Sequence, residues 1–154
     1  MARILGVDLG TRRLGFAVSD GEEIIATPLI VAYPDSAADA AAITARICQE
    51  QNAGKVVVGL PLNMDGTSGP AVKEVEKFNS LLRERLSVPI ETWDERLTTR
   101  LAERALLEAD MSRLKRKNVR DKLAAQVMLQ GYLDAKSVND DSADFPPADP
   151  ENEP

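Results

Sequence analysis

The sequence predicts one α/β domain, a mixed five-stranded sheet with helices on both faces. Two observations carry this expectation. Three short apolar runs open the chain with only turn-length gaps between them, as an antiparallel start requires. Strand-like and helix-like segments then alternate, the pattern of crossover units in a sheet with parallel strands. The 154 residues, 44% of them hydrophobic, suffice for one such core.

The elements follow in order. Arg3–Asp8 is an apolar run ending in Leu9-Gly10-Thr11, and Leu14–Ser19 resumes it, so the two form a hairpin across a tight glycine-containing turn. Ile24–Val31 is a third strand, and its Pro28 marks an edge or a bulge. Ser36–Asn52 is alanine-rich with Ile43 and Ile47 four apart, which predicts a helix closing near Gly54. Lys55–Gly59 reads KVVVG, a β-branched run suited to a strand covered on both faces. Pro61–Gly69 is loop by composition, and Ser68 and Pro70 offer a cap and a first-turn proline to a helix over Val72–Leu86. Pro89–Asp94 is the fifth strand, with Trp93 expected in the core. Thr98–Ala109 is helical, a basic loop follows, and Arg120–Ala135 is a last amphipathic helix. Four prolines in a polar, acidic terminus separate a domain over 1–136 from a disordered tail over 137–154.

Composition removes whole classes of chemistry. There is no histidine, which excludes Ser-His-Asp and Cys-His catalysis and imidazole-held zinc or haem. One cysteine, Cys48, leaves no internal disulfide and too little thiolate for structural zinc. No apolar run approaches the ~18 residues of a membrane span, and the N-terminus turns polar too early for a signal peptide, so a cytoplasmic protein without membrane partners is expected. Hydrolysis near neutral pH must then rest on carboxylates, lysines, hydroxyls or hard cations such as Mg²⁺ and Mn²⁺.

The net charge of −6 hides an uneven distribution. Six acids and no base lie beyond Ser137, and without them the body balances 19 basic against 19 acidic residues. Within the body, Met111–Lys122 gathers Arg113, Lys115, Arg116, Lys117, Arg120 and Lys122 around the single acid Asp121. Such a loop suits contact with phosphates. Arg12 and Arg13 in the first turn, and Arg96 after the fifth strand, extend the candidate nucleic-acid surface. Asn63, Thr67 and Ser68, on a loop entering a helix, form a candidate phosphate loop, with Asp65 beside them. Aromatic residues at 4% argue against a stacking platform for single strands.

The acids are placed where sheets of this kind bind ligands, at the carboxyl ends of strands. Asp8 ends the first strand, and Asp94 and Glu95 end the fifth. Gly59 ends the fourth without a side chain, and Asp121 opens the last helix with the small Ala124 and Ala125 behind it. If the fourth strand lies beside the first, these acids face one crevice. Phosphodiester hydrolysis needs such a cluster, because two divalent ions ~4 Å apart stabilise both the attacking and the leaving oxygen. Asp8 is the natural bridge between them.

The segments VDLGTRRLGFAVSD (7–20), VVVGLPLNMDGT (56–67), DERLTT (94–99) and DKLAAQVMLQGYLD (121–134) together resemble the YqgF/RuvX family, whose members are similar to Holliday-junction resolvases of the RNase H-like superfamily. The resemblance implies a sheet in the order 3-2-1-4-5 and a divalent-metal-dependent nuclease acting on the 5′ end of pre-16S ribosomal RNA. By motif, Asp8, Glu95 and Asp121 match the family's acids, Asp94 matches a neighbouring acid, and Arg13 and Gly59 match its turn arginine and strand-four glycine. Arg120 departs from the pattern, standing where an apolar residue usually precedes the helix acid. Structured RNA and branched DNA are the expected partners, for a monomer or a homodimer. Three other functions fit the same residues less fully: a branched-DNA resolvase, a non-catalytic assembly factor, and an ATP-binding switch protein built on Asp-Leu-Gly-Thr.

Overall fold

The computed structural model describes residues 2–10, 12–60, 69–94 and 123–136. Strands β1 (Arg3–Leu9), β2 (Leu14–Ser19) and β3 (Ala26–Ala32) are followed by helix α1 (Ala37–Glu50), strand β4 (Ala53–Leu60), helix α2 (Pro70–Arg83) and strand β5 (Ile90–Asp94). A further helix, α3, spans residues 123–136. The expected helix over Thr98–Ala109, the basic loop and the acidic tail lie outside the described residues, as does the expected start of the last helix at Arg120.

The strands form one sheet in the order β3-β2-β1-β4-β5. β1 pairs antiparallel with β2 and parallel with β4, which pairs parallel with β5. The predicted order and mixed pairing are both present. Val56, Val57 and Val58 are fully buried, as a central strand covered on both faces requires. β3 is the edge beside β2, and the ladder slips between Gly15 and Ala17 opposite Pro28, so the proline sits at an edge and at an irregularity together.

Several boundaries differ from those expected. β3 begins at Ala26 and not Ile24, because the Ile24 and Ile25 amides donate to the Asp20 carboxylate at 2.7 and 3.2 Å, closing a turn before the ladder starts. α1 starts at Ala37 with Ser36 as its cap, accepting from the Asp39 amide, while Asp39 accepts from the Asp35 amide in return. The left-handed residue past its end is Asn52, at φ 54°, so Asn takes the role expected near Gly54. α2 is capped by Gly69 with no side-chain bond, so the expected Ser68 cap is not what starts it, and Pro70 occupies its first turn as expected. It ends at Arg83, and the Arg85 and Leu86 amides just beyond both donate to the Leu82 carbonyl.

Two cores flank the sheet. Under α1 and α2, Leu5, Val7, Phe16, Val58, Phe78 and Leu82 are packed together. Under α3, Ile4, Ala17, Val57, Ala125, Met128 and Leu129 form a second cluster, with Trp93 half-buried against it. α3 lies close to the sheet because β1 offers Gly6 beneath it. A Cβ there would stand 2.9 Å from the Leu129 Cβ.

Side chains clasp α3 at both margins. On the β3 side, the Ala26 amide donates to Gln130, Gln126 donates to the Ala26 carbonyl, and Gln130 donates to the Ile24 carbonyl, at 2.9 to 3.0 Å. On the β5 side, the Tyr132 hydroxyl donates to Glu91 at 2.6 Å, and Lys55 donates to that hydroxyl and pairs with Glu91, both at 3.2 Å. Tyr132 also meets Trp93 edge-on, with ring centroids 5.7 Å apart.

Two measurable consequences follow from this packing. Gly6→Val must displace α3, and chemical denaturation should show a loss of about 1–3 kcal/mol. The clasp at β5 also makes stability pH-dependent. Burial and then the bond to Glu91 hold the Tyr132 phenol above its ordinary 10.0. Burial acts to lower Lys55, but bonds to Tyr132 and Glu91 outweigh it and raise the ammonium above 10.5. Both folded values exceed the unfolded ones, so this stability is complete below about pH 10 and lost as pH rises through the folded values. Glu91, lowered first by the Tyr132 bond, contributes in the opposite sense, its share being lost as pH falls below its ordinary 4.5. Tyr132→Phe should flatten the alkaline limb of a Tm-against-pH curve.

Candidate nucleic-acid cleavage site

Asp8 is set by the pleat of β1. Side chains alternate along a strand, and Ile4 and Gly6 face α3, so Asp8 faces the same way. It is 7% exposed, a charged residue almost withdrawn from water. Arg13 answers that charge from across the hairpin, its Nη1 3.3 Å from the Asp8 Oδ2. The turn between them is closed by the Gly10 amide donating to the Arg13 carbonyl at 2.8 Å. A Cβ on Gly10 would come within 2.8 Å of the Arg13 Cγ, so the glycine is what lets the arginine fold back along the turn.

Gly59 lies beside Asp8, one step past the paired Val7 and Val58. On β5, Trp93 pairs with Gly59 and Asp94 with Leu60. The expected meeting of the β1, β4 and β5 carboxyl ends is therefore present. The pleat separates Asp94 from Asp8, however: Trp93 faces the α3 cluster, so Asp94 belongs to the α1 and α2 face. It stands two strand spacings, about 10 Å, along the sheet from Asp8.

α3 runs against the direction of β1. Its Gln130 bonds to the start of β3, and Lys136 pairs with Glu23 just before it. Ala26 pairs with Ser19, whose hydroxyl accepts from the amide of Ile4 at the start of β1. The C-terminal end of α3 thus lies where β1 begins, and its N-terminal end lies where β1 carries Asp8. With Leu129 over Gly6, a helical rise of ~1.5 Å against a strand rise of ~3.3 Å per residue brings Ala124 and Ala125 level with Asp8. The small side chains expected to let this helix lie close are at that level, and Ala125 is 1% exposed.

Arg12 and Arg13 are both in the turn after β1. The remaining candidates, Asn63, Asp65, Thr67, Ser68, Glu95, Arg96, Arg113, Lys115, Arg116, Lys117, Asp121 and Lys122, lie outside the described residues. Among the described residues, no group of three His, Cys, Asp or Glu side chains could hold a metal ion. Sequence reasoning missed the Lys55–Glu91–Tyr132 cluster that holds α3, because its members are far apart in the chain and none sits in a motif.

The fold and the motifs have relatives. The chain matches the RuvX family, described as Holliday junction resolvase, over residues 2–135. A Myxococcus xanthus protein is 45% identical over 152 residues, covering 99% of both chains, and bears the name "Putative pre-16S rRNA nuclease". Relatives of the same name from Syntrophomonas wolfei and Clostridium botulinum are 44% and 46% identical, covering 90% and 88% of this chain and 99% and 98% of theirs. Among solved structures, T. thermophilus RuvC in complex with a Holliday junction substrate superimposes with a TM-score of 0.52 at 15% identity, over 89% of this chain and 96% of that one. The fowlpox virus Holliday junction resolvase does so at 0.50 and 13%, over 86% and 99%. These likenesses show the RNase H-like fold of the resolvases. With the family matched over residues 2–135 and relatives aligned along nearly their whole length, the chain belongs to the RuvX family.

Proposed function

We propose that this protein is a divalent-metal-dependent nuclease that hydrolyses phosphodiester bonds, with the 5′ end of pre-16S ribosomal RNA as its substrate in the cytoplasm. One observation carries the reading: Asp8 is buried at the end of the central strand, on the face where the N-terminal end of α3 arrives. The names of the close relatives support RNA as substrate. Branched DNA, bound by the RuvC structure, is the second reading.

The donors suit a hard cation, since the chain has no histidine and its one cysteine is buried. Asp8, Glu95 and Asp121 would hold Mg²⁺ or Mn²⁺. The family matched over residues 2–135 supports the choice of these three acids, and Asp94 faces away from Asp8. Bound there, the ion supplies charge neutralisation at the phosphoryl oxygens and a water of lowered pKa.

The chain's own residues do the rest. Arg13 holds the Asp8 carboxylate in one orientation and adds positive charge beside the phosphate bound there. Gly59, having no side chain, leaves the space beside Asp8 open to the backbone of the substrate. Arg12, Arg96, Arg113, Lys115, Arg116, Lys117 and Lys122 grip flanking phosphates, while Asn63, Thr67 and Ser68 form a phosphate loop.

Asp8→Asn should lower cleavage of structured RNA by at least about a hundredfold, the several kcal/mol that carboxylate-held ions contribute. Its fold should be retained by circular dichroism, and Glu95→Gln and Asp121→Asn should match it. Full activity in Asp8→Asn, from a preparation free of other nucleases, would overturn the assignment. Arg116→Ala should weaken binding equally across sequences and lower the slope of log K against log salt by about one.

A further inference from the structure

On the α1 and α2 face, at the same end of the sheet, a cleft of about 700 Å³ opens between the β1–β2 turn and the first turns of the two helices. That volume lies within the range of sites for small organic ligands. Resting on the nuclease reading above, we propose that this cleft receives an unstacked base of the substrate, from a nucleotide next to the one at Asp8.

The lining argues for a base. Leu9, Ala40 and Phe78 give it an apolar interior, with Ala40 and Phe78 themselves almost wholly buried. Arg12 and Arg13 border it on the turn, and Asp35 and Glu74 border it on the helices. An apolar slot with guanidinium planes on one side and carboxylate acceptors on the other matches a heterocycle carrying amino groups. It does not match a free phosphate, which the two carboxylates would repel. In the first turn of α1 the Asp39 amide is already taken by the Ser36 hydroxyl.

Arg13 joins the two places. It lines the cleft and also reaches the Asp8 carboxylate on the opposite face. A strand of nucleic acid crossing the end of β1 can therefore leave a phosphate beside Asp8 while its neighbouring base turns over the edge into the cleft. A paired base has its hydrogen-bonding edge engaged, so the site selects unpaired nucleotides, as in loops, ends and junctions.

The full chain, titrated without divalent ions with cytidine, guanosine, adenosine and uridine 5′-monophosphates and with ribose 5-phosphate, tests this by NMR at the Ala37 and Ala71 methyl groups. At least one of the amino-bearing nucleotides should bind ten times more tightly than ribose 5-phosphate, and uridine monophosphate should rank below it. Ala71→Trp, at an exposed position on the cleft's border, should abolish the difference. Equal binding of ribose 5-phosphate, no binding of any nucleotide, or an unchanged preference in Ala71→Trp would overturn the inference. The unmodified chain tests it even if that variant fails to fold. A protein that cuts RNA without discriminating bases here loses only this site. One that discriminates them but never cuts keeps it and loses the nuclease.

Discussion

The close approach of α3 to Gly6 is the constraint on which the arrangement depends. A helix separated from its sheet by a larger side chain at that position would sit higher, and the end of α3 that is level with Asp8 would stand farther from it. The glutamine bonds at β3 and the Tyr132 cluster at β5 then fix where along and across the sheet the helix lies. Packing alone is tolerant of sliding, whereas hydrogen bonds at opposite margins admit one register. The carboxylate at the end of β1 inherits its surroundings from that register.

Much of this was legible in the chain because it is written in local pattern. The strand-forming runs, the proline at the edge strand, the alanine-rich helix and the acid closing the first strand each have a signature within a few residues. The neighbouring of β1 and β4, given only as a condition by the residues themselves, followed from the family likeness. What could not be read was anything joining distant residues by single contacts. Ser68 looked like a cap because Ser is a good one, yet Gly69 holds that place without a side chain. Ile24 and Ile25 looked like strand because they are β-branched, yet Asp20 captures their amides. The two acids at the end of the fifth strand were equivalent by composition. The face that Trp93 takes is what sets Asp94 on the opposite one.

The two faces of the β1 end have different characters, and the hairpin arginine belongs to both. On one side a buried carboxylate waits beside a glycine; on the other an apolar cleft carries charges of both signs. This division suits a polymer substrate, whose phosphates and bases ask for unlike surroundings. On the base-binding proposal, edge recognition and guanidinium planes would stand in for ring stacking in a chain with few aromatic residues.

The lone thiol has a practical bearing. Cys48 is 2% exposed, its sulfur faces the Ala53 carbonyl at 3.7 Å, and burial pushes its ionisation up. Maleimides and other thiol-directed reagents will therefore find no competing thiol on the native surface. A cysteine introduced at any chosen outward position becomes a unique handle for a fluorophore or spin label, without first engineering the natural one away.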